Sequence, residues 1–428
     1  MLTDDLYKTT LDNGLVVLMR EVHSAPVASL WVWYRVGSRN EVPGSTGLSH
    51  WVEHMLFKST RNYPQGNFDR MIEREGGYFN GMTWLDWTTY YETLPADRLE
   101  IALKIESERM VNALFLPEET ESERTVIIAE REGGENRPTY LLFEQVQALS
   151  FLAHPYQHMV IGWKEDLQSI TRDQLYQHYR TYYVPNNAIV VAVGDFHRQA
   201  LLDQIAAHFG SIPAGELPAP VSVREPAPRA ERRVYMHGPG DTAYIDITYR
   251  VPQATHPDFF ALVVLDAILD GAKGMPPFGN SALGRAARLY RALVNRQLAT
   301  RVHTSVGATI DPYLLTISAT VHPRSSLQEV ERAILEEIER VQSEPVGEEE
   351  LARAIKGARV QFVYGSETVT NQAMWLGLAE LVASGEWLAG FLDSLAAVTA
   401  DDIRRVAQTY LTPANRVVGW YEPEGGAA

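Results

Sequence analysis

The sequence predicts an α+β protein with two homologous domains, each a mainly antiparallel sheet packed with helices, joined by a proline-rich linker. Three observations support this prediction. The chain has 428 residues, enough for two or more domains. Strand-like and helix-like segments occur in both halves. The ends of the two halves also resemble each other at one constant spacing, which indicates a duplicated domain.

The duplication is visible where each half ends. Both ends have a Thr-x-Asp sequence, then Thr-Tyr, then a proline and an asparagine before a β-branched run. Two independent helix-to-strand transitions with similar turn chemistry would be the alternative. A single offset of 228 residues relates all the matching positions, which favours duplication: Thr171/Thr399, Asp173/Asp401, Thr181/Thr409, Tyr182/Tyr410, Pro185/Pro413 and Asn187/Asn415.

The segment between the halves is rich in proline and poor in large apolar residues. Residues 211–230 contain five prolines, and such a run cannot form a core strand or helix. We therefore expect a first domain at 1–212, a linker at 213–232 and a second domain at 233–428.

Within each half, the elements follow from periodicity and composition. Residues 14–19 and 28–36 are β-branched or aromatic runs between turn residues, as strands are. Segments 101–114, 121–132 and 171–182 have helical spacing. The second half repeats this style, with strands predicted at 242–249 and 314–321 and helices at 327–341 and 348–364.

Composition excludes several classes of function. The chain has 38 Lys+Arg and 54 Asp+Glu, and its net charge of −16 disfavours binding to nucleic acid or to an anionic membrane. It contains no cysteine, which excludes disulfides, thiol nucleophiles and Cys-ligated metal sites. No signal peptide or membrane span is visible, so we expect a cytoplasmic protein; a periplasmic one is compatible with a processed chain.

The segment around residue 50 carries a metal-binding pattern. His50, Glu53 and His54 fall within an arc of about 100° on a predicted helix, with apolar residues opposite, and Ser45 and Thr46 are candidate caps. Histidines at i and i+4 can bind one zinc ion, and the carboxylate between them can deprotonate a metal-bound water. A solvated polar face is the alternative.

A third ligand is needed, and Glu130 is the candidate. Glu123 and Glu130 share a helical stripe with Val126 and Ile127, an unfavourable place for unpaired charge unless a cation compensates. The alternative is a structural network in which the two glutamates pair with Arg70 or Arg109.

These residues resemble a known family. The His50-x-x-Glu53-His54 motif, followed by Glu130 after 76 positions, resembles the inverted zinc motif of the pitrilysin, insulin-degrading enzyme and mitochondrial processing peptidase family. Residues 76–90, His154-Pro-Tyr with Ile161-Gly162, and 183–195 are similar to other family segments, so the resemblance extends beyond the motif.

The resemblance implies a role for each matching residue. His50, His54 and Glu130 would bind one zinc ion per chain, and Glu53 would be the general base. Glu123 would support the site by orienting a ligand histidine. A further segment matches the family strand that pairs with the substrate backbone: Asn80, Gly81, Met82 and Thr83.

One departure from the family pattern concerns the second half. Single-chain members carry an Arg and, seven residues later, a Tyr, which stabilise the oxyanion of the substrate; here Val294 and Thr300 align with them. Tyr290, Arg296 or Arg301 could substitute. In half-length members the pair lies on a separate subunit, so we expect a heterodimer with a homologous partner that carries it, or else a self-sufficient homodimer.

The sequence therefore predicts a zinc metalloendopeptidase that hydrolyses extended peptides or short polypeptides inside a chamber. A non-catalytic structural or binding subunit of a larger complex is the alternative. The intact motif favours the enzyme.

Overall fold

The computed structural model describes residues 2–274 and 284–425, and its strands form two sheets, of six and five strands. The predicted α+β class is confirmed. The strands are β1 (Tyr7–Thr10), β2 (Val16–Glu21), β3 (Val27–Tyr34), β4 (Tyr78–Thr83), β5 (Thr88–Pro95), β6 (Ala188–Gly194), β7 (Arg232–Gly238), β8 (Tyr244–Val251), β9 (Ala299–Val306), β10 (Tyr313–Val321) and β11 (Arg416–Pro423).

Helices separate these strands, and none in the described residues is both long and apolar enough to cross a membrane. They are α1 (Leu48–Met55), α2 (Asn67–Arg74), α3 (Glu100–Asn112), α4 (Pro117–Glu135), α5 (Pro138–Ser150), α6 (Lys164–Ser169), α7 (Arg172–Tyr182), α8 (Arg198–Phe209), α9 (Phe259–Asp270), α10 (Leu327–Ser343), α11 (Glu348–Tyr364), α12 (Val369–Val382), α13 (Gly385–Ala389), α14 (Phe391–Ala396) and α15 (Ala400–Tyr410), with a π-helical turn at Tyr290–Val294.

The repeated residues have the same structural role in both copies. Thr171 and Thr399 cap α7 and α15, and each accepts a hydrogen bond from the N–H group three residues later. Asn187 donates to the carbonyl of Tyr182 at 2.9 Å, and Asn415 donates to that of Tyr410 at 2.7 Å. The 228-residue repeat therefore reflects two copies of one helix–turn–strand junction.

The first compact unit comprises residues 1–132, 158–222 and 366–389. Its strand order is β1-β2-β6-β3-β5-β4, in which only the β2–β6 pair is parallel. β3 and β6 are almost wholly buried because helices cover both faces of the sheet. β4 lies at one edge, next to α1.

The second compact unit comprises residues 133–157, 223–365 and 390–428, of which 275–283 and 426–428 lie outside the described residues. Its strand order is β7-β11-β8-β10-β9, in which only the β7–β11 pair is parallel. The order repeats that of the first sheet from β2 to β4, which is the pattern a duplication produces.

The two units differ from the predicted ranges 1–212 and 233–428 because the first unit includes α12 and α13 from the second half of the sequence and the second unit includes α5 from the first half. α12 packs on β3 and β6 of the first unit, where a Cβ at Gly377 would lie 2.1 Å from Trp33 Nε1. α5 packs on β8 and β11 of the second unit, where a Cβ at Gly419 would lie 2.3 Å from Val146 Cγ2. The chain also passes from the first unit to the second between Ser222 and Val223, within the predicted linker.

Candidate metal centre

Helix α1 carries three polar residues on one face and packs its other face into the core. Leu48, Val52 and Met55 are buried in the hydrophobic core of the first unit. The face with His50, Glu53 and His54 points away from this core, as the spacing predicts. The helix is therefore held by apolar burial, while its polar side chains are free to form a site.

The N-terminus of α1 differs from the prediction that Ser45 or Thr46 caps it. The cap position is Gly47, in a left-handed conformation with φ 90°, and no side chain at that position caps the helix. The carboxylate of Glu41 instead accepts hydrogen bonds from the N–H groups of Gly47 and Ser49, both at 2.7 Å. The N-terminus of α1 is thus capped by the side chain of a residue that lies outside the helix.

Helix α4 supplies the two glutamates, but the predicted common burial of their stripe is wrong. Ile127 is fully buried and Glu123 is 5% exposed, whereas Val126 is 48% exposed and the Glu130 side chain 52%. The stripe lies at the border of the hydrophobic core. Its Glu123 end is therefore covered by other residues, and its other end is exposed to solvent. Glu130 is accessible to solvent while it still faces α1.

The structure brings His50, His54 and Glu130 together. The Nε2 atoms of the histidines lie 3.3 Å apart, and Glu130 Oε2 lies 3.9 Å from Nε2 of His50 and 3.7 Å from Nε2 of His54. Zinc–nitrogen bonds of about 2.0–2.1 Å in a tetrahedral site separate two ligand atoms by about 3.3 Å. The spacing of the histidine nitrogens therefore suits one zinc ion. In the described residues these three form the one His/Asp/Glu group whose ligand atoms converge in this way.

The protonation state of His50 also suits a metal. Burial lowers the pKa of His50 to about 3, and the nearby His54 acts in the same direction, so the His50 ring is neutral. Its Nδ1 atom is buried without a hydrogen-bond partner among the described protein atoms. Two imidazole nitrogens and a carboxylate oxygen are a donor set that zinc prefers.

Glu123 orients His54 from the other side of the ring. Glu123 Oε1 lies 2.8 Å from His54 Nδ1, and Glu123 Oε2 lies 2.5 Å from Lys58 Nζ. Burial raises the pKa of Glu123, but the His54 and Lys58 contacts outweigh burial and the net pKa is lowered. Because an ionised carboxylate only accepts hydrogen bonds, Nδ1 of His54 carries the proton and Nε2 is free for a metal.

The alternative in which Arg70 or Arg109 pairs with these glutamates is wrong. Arg109 is buried in a cluster with Glu92 and Glu106, at 3.9 and 3.2 Å, and Arg70 donates to Asn67. Lys58 forms the ion pair with Glu123 instead. Helical spacing could not have identified Lys58, because α1 ends at Met55 and Lys58 lies outside the helix.

Glu53 is nearly buried beside the histidines. Burial raises the pKa of Glu53, and a hydrogen bond from Thr83 Oγ1 to Glu53 Oε2, at 2.8 Å, acts in the opposite direction. Thr83 ends the edge strand β4. The carboxylate is therefore held in place by the strand that the sequence analysis assigns to substrate binding.

The other candidate substrate-binding residues also lie on β4. Asn80, Gly81 and Met82 pair with Tyr91, Tyr90 and Thr89 of β5, and no described strand pairs with the opposite edge of β4. A Cβ at Gly81 would lie 2.9 Å from the Phe57 ring, so glycine allows this strand to approach the end of α1. The N–H group of Gly81 donates to Asn80 Oδ1 at 2.9 Å.

The candidate oxyanion positions of the second half lie in the second unit. Val294 ends the π-helical turn, and Thr300 is exposed on β9, where a bulge interrupts the pairing with β10. Arg296 and Arg301 are exposed as well, and Tyr290 is partly buried. The structure supplies no arginine or tyrosine at the two aligned positions.

Comparison with known proteins links the two halves to one family. The family model described as Insulinase (Peptidase family M16) matches residues 16–162, and the model described as Peptidase M16 inactive domain matches residues 169–358. The zinc-motif residues all lie within the first match. The second match covers much of the half that lacks the motif.

Individual relatives resemble the chain along almost its whole length. The zinc protease PqqE of Helicobacter pylori is 27% identical, with 97% of this chain and 92% of the relative aligned. The mitochondrial-processing peptidase subunit beta of Lentinula edodes is also 27% identical, over 94% of this chain and 87% of the relative. A crystal structure of a protease from Helicobacter pylori matches with a TM-score of 0.92 and 26% identity, covering 98% of this chain and 99% of that one.

Proposed function

Because the chain belongs to peptidase family M16, we propose that it is a zinc-dependent endopeptidase that hydrolyses extended peptides or short polypeptides. The convergence of His50, His54 and Glu130 beside the carboxylate of Glu53 carries this proposal. A solvated polar helix face would not need three converging ligand atoms. A scaffold protein would not need a buried carboxylate next to them.

Each side chain has a defined task in the proposed reaction. His50, His54 and Glu130 would hold the zinc ion, which when bound polarises the scissile carbonyl and acidifies a water molecule. Glu53 accepts the proton of the attacking water and passes it to the leaving amine. Thr83 holds the Glu53 carboxylate by its hydrogen bond, and Glu123 with Lys58 holds the His54 ring.

The edge strand β4 supports the choice of an extended peptide as substrate. An unpaired strand edge presents backbone N–H and C=O groups that an added strand can use. Main-chain pairing depends little on the side chains of the peptide. The substrate class is therefore defined by an extended backbone conformation and not by a particular residue sequence. The Asn80 side chain holds the N–H group of Gly81 and has to release it if a peptide carbonyl is to accept that hydrogen bond.

We further propose that the active form pairs with a homologous subunit that carries the Arg/Tyr pair. Val294 has no side-chain donor, and the short Thr300 side chain donates its hydroxyl to the carbonyl of Thr320 at 3.4 Å, so neither replaces the Arg/Tyr pair. The loss of one such donor reduces a rate by about 10²–10³. A relative named as a peptidase subunit supports the pairing. A homodimer that uses Arg296 or Arg301 is the second candidate for the active form. The cytoplasmic location of the protein stays a prediction.

The function is tested with a quenched peptide and three proteins. Wild type should contain about one zinc per chain and cleave the peptide, and a chelator should stop cleavage reversibly. Glu53→Gln should keep the zinc and lose at least about 10²–10⁴-fold in kcat. Glu118→Gln changes an exposed carboxylate in the first turn of α4 and should behave as wild type. A chain with zinc but without cleavage, alone and with a homologous partner, would instead be the non-catalytic subunit.

The partner is tested by adding back subunits. Cleavage by this chain should rise by at least tenfold when a homologue with the Arg/Tyr pair is added, and the two chains should elute together. Full activity of the chain alone, unchanged by the homologue and lost on Arg296→Ala or Arg301→Ala, would establish the self-sufficient form.

A further inference from the structure

The N-terminus of α1 is held by a buried carboxylate rather than by a residue of the helix itself. Glu41 is 3% exposed, and each of its two oxygens accepts one backbone N–H group, from Gly47 and from Ser49. These groups are among the N–H donors that a helix start leaves without intrahelical partners. Because both oxygens are engaged, the first turn of α1 has one position relative to Glu41, and His50 follows directly after Ser49.

A second carboxylate holds the residue before this turn. Asp166 Oδ2 accepts hydrogen bonds from the N–H and the hydroxyl group of Thr46, at 2.9 and 2.7 Å. The N–H of Trp163 donates to the same hydroxyl at 2.8 Å. The backbones are in close contact here, since a Cβ at Gly162 would lie 2.3 Å from Thr46 O. Hydrogen bonds and close backbone contact therefore hold the start of α1 against the segment 161–170.

The same segment is fastened to α4, which carries the third candidate ligand. Arg131, the residue after Glu130, donates to the carbonyl of Gly162 at 2.6 Å. Arg124 donates to the carbonyl of Ile170 at 2.8 Å, and its guanidinium lies 4.6 Å above the Trp51 ring of α1. Segment 161–170, which we call the clamp, thus contacts both ligand-bearing helices.

We propose that Glu41, which holds the first turn of α1 directly, and Asp166, which acts through the clamp, are positioning residues that together set the distance between the two histidines of α1 and Glu130 of α4. This inference rests on the proposed zinc site and assigns to it residues that touch neither metal nor substrate. The physical reason is that three ligands from two helices bind an ion well only when the helices keep their separation to a few tenths of an ångström. A loosened helix start displaces His50 first, because it lies in the first turn.

A merely structural role predicts something different. If Glu41 only stabilised the fold, its loss would lower the melting temperature and leave the zinc affinity of the folded protein unchanged. If it positions the ligands, the folded variant binds zinc more weakly. The zinc dissociation constant of the folded protein separates the two roles.

The experiment compares Glu41→Gln and Asp166→Ala with a matched control. Gln has one acceptor oxygen where Glu41 uses two, and Ala removes the one oxygen of Asp166 that accepts both hydrogen bonds from Thr46. Glu108→Gln is the control: Glu108 is also buried and accepts from Asn62 and Asn112, but it has no hydrogen bond to α1, α4 or the clamp among the described contacts. Zinc affinity is measured by competition with a chromogenic chelator on the monodisperse, folded fraction.

We expect both variants to raise the zinc dissociation constant by about tenfold and to lower kcat with KM changed less than twofold. Glu108→Gln should lower the melting temperature and leave the zinc dissociation constant at the wild-type value. Unchanged zinc affinity in Glu41→Gln and in Asp166→Ala would overturn the inference; if one variant does not fold, the other decides. The wild-type protein tests the proposed function separately. Zinc binding without hydrolysis, both alone and with the homologous partner, rejects the peptidase but leaves the affinity comparison decisive, and no zinc binding rejects both.

Discussion

Oε2 of Glu123 lies 2.5 Å from Nζ of Lys58, while Oε1 of the same carboxylate lies 2.8 Å from Nδ1 of His54. One carboxylate thus joins a cation to a candidate zinc ligand. The cation keeps Glu123 ionised, and the ionised Glu123 keeps the proton of His54 on Nδ1, away from Glu130. This relationship leads to the first prediction.

Replacing Lys58 with Met should weaken zinc binding by about tenfold, because Glu123 loses the charge that favours its ionised, proton-accepting form. Met keeps most of the length of the side chain and so limits the packing change. The zinc dissociation constant is measured by chelator competition. Lys104→Met removes an exposed ion pair away from the site, with Glu100 at 2.9 Å on α3, and should leave zinc binding unchanged. Equal affinities in the two variants would show that Lys58 has no part in the site.

Glu130→Gln should remove most of the bound zinc and have little effect on the fold of the metal-free protein. The Glu130 side chain is half exposed and contacts only the two histidines among the described ion pairs, so little stability depends on it. Zinc content is measured after dialysis, and melting temperature with and without zinc. The stabilisation by zinc seen in wild type should disappear, because only binding to the native state stabilises it. Retention of one zinc per chain would exclude Glu130 as a ligand.

Thr83→Val should reduce kcat by roughly tenfold with zinc content unchanged, because the variant loses the hydrogen bond that holds the Glu53 carboxylate. Valine has nearly the same shape as threonine, so the packing of β4 changes little. Thr83→Ser keeps the hydroxyl group and should retain most of the activity. If valine and serine give the same kcat, the hydroxyl does not position Glu53.

Asp246→Asn should stabilise the protein in a pH-dependent way. Asp246 is buried on β8, and burial raises its pKa to about 6 although a hydrogen bond with Ser318 acts in the opposite direction. Since the folded-state pKa exceeds the ordinary value, the protonated carboxyl stabilises the fold below about pH 4, and this stability is lost as the pH rises through 6. The variant, which cannot ionise, should gain up to roughly 3 kcal/mol over wild type at pH 8.

Urea unfolding at pH 4 and pH 8 measures this difference. At pH 4 the free energies of unfolding of Asp246→Asn and wild type should agree, because the carboxyl of Asp246 is then protonated in the native state. Asp241→Asn, at an exposed position before β8, is the control and should show no such pH dependence. A gain of the same size at both pH values would mean that ionisation of Asp246 is not its cause.

The features that the sequence predicted well depend on residues close together in the chain. The polar face of α1 follows from the spacing of His50, Glu53 and His54, and the predicted helix 171–182 coincides with α7 to within one residue. The predicted strand 28–36 and the predicted helix 348–364 coincide with β3 and α11 to within two residues at each end. In each case the local periodicity and the burial in the fold agree.

The predictions that proved wrong involve competition between distant partners. Ser45 and Thr46 are good capping residues, but Thr46 is bound to Asp166, 120 residues away, and Glu41 occupies the helix start. Arg109 is a reasonable partner for a glutamate, yet it is enclosed with Glu92 and Glu106. Sequence shows which pairs are chemically possible, and packing decides which of them meet.

The sequence by itself determined the α+β class, the duplication and the residues of the candidate zinc site, because hydrophobic periodicity, a constant offset and ligand spacing are properties of the chain order. Only the tertiary structure decided that α12 and α13 belong to the first unit and α5 to the second, that Glu130 is exposed while Glu123 is buried, and that Glu41 and Asp166 hold the start of α1. Each of these outcomes depends on which apolar surfaces of the folded chain pack against each other and are removed from water. Segments that meet across a hundred or more residues leave no periodic signal in the sequence.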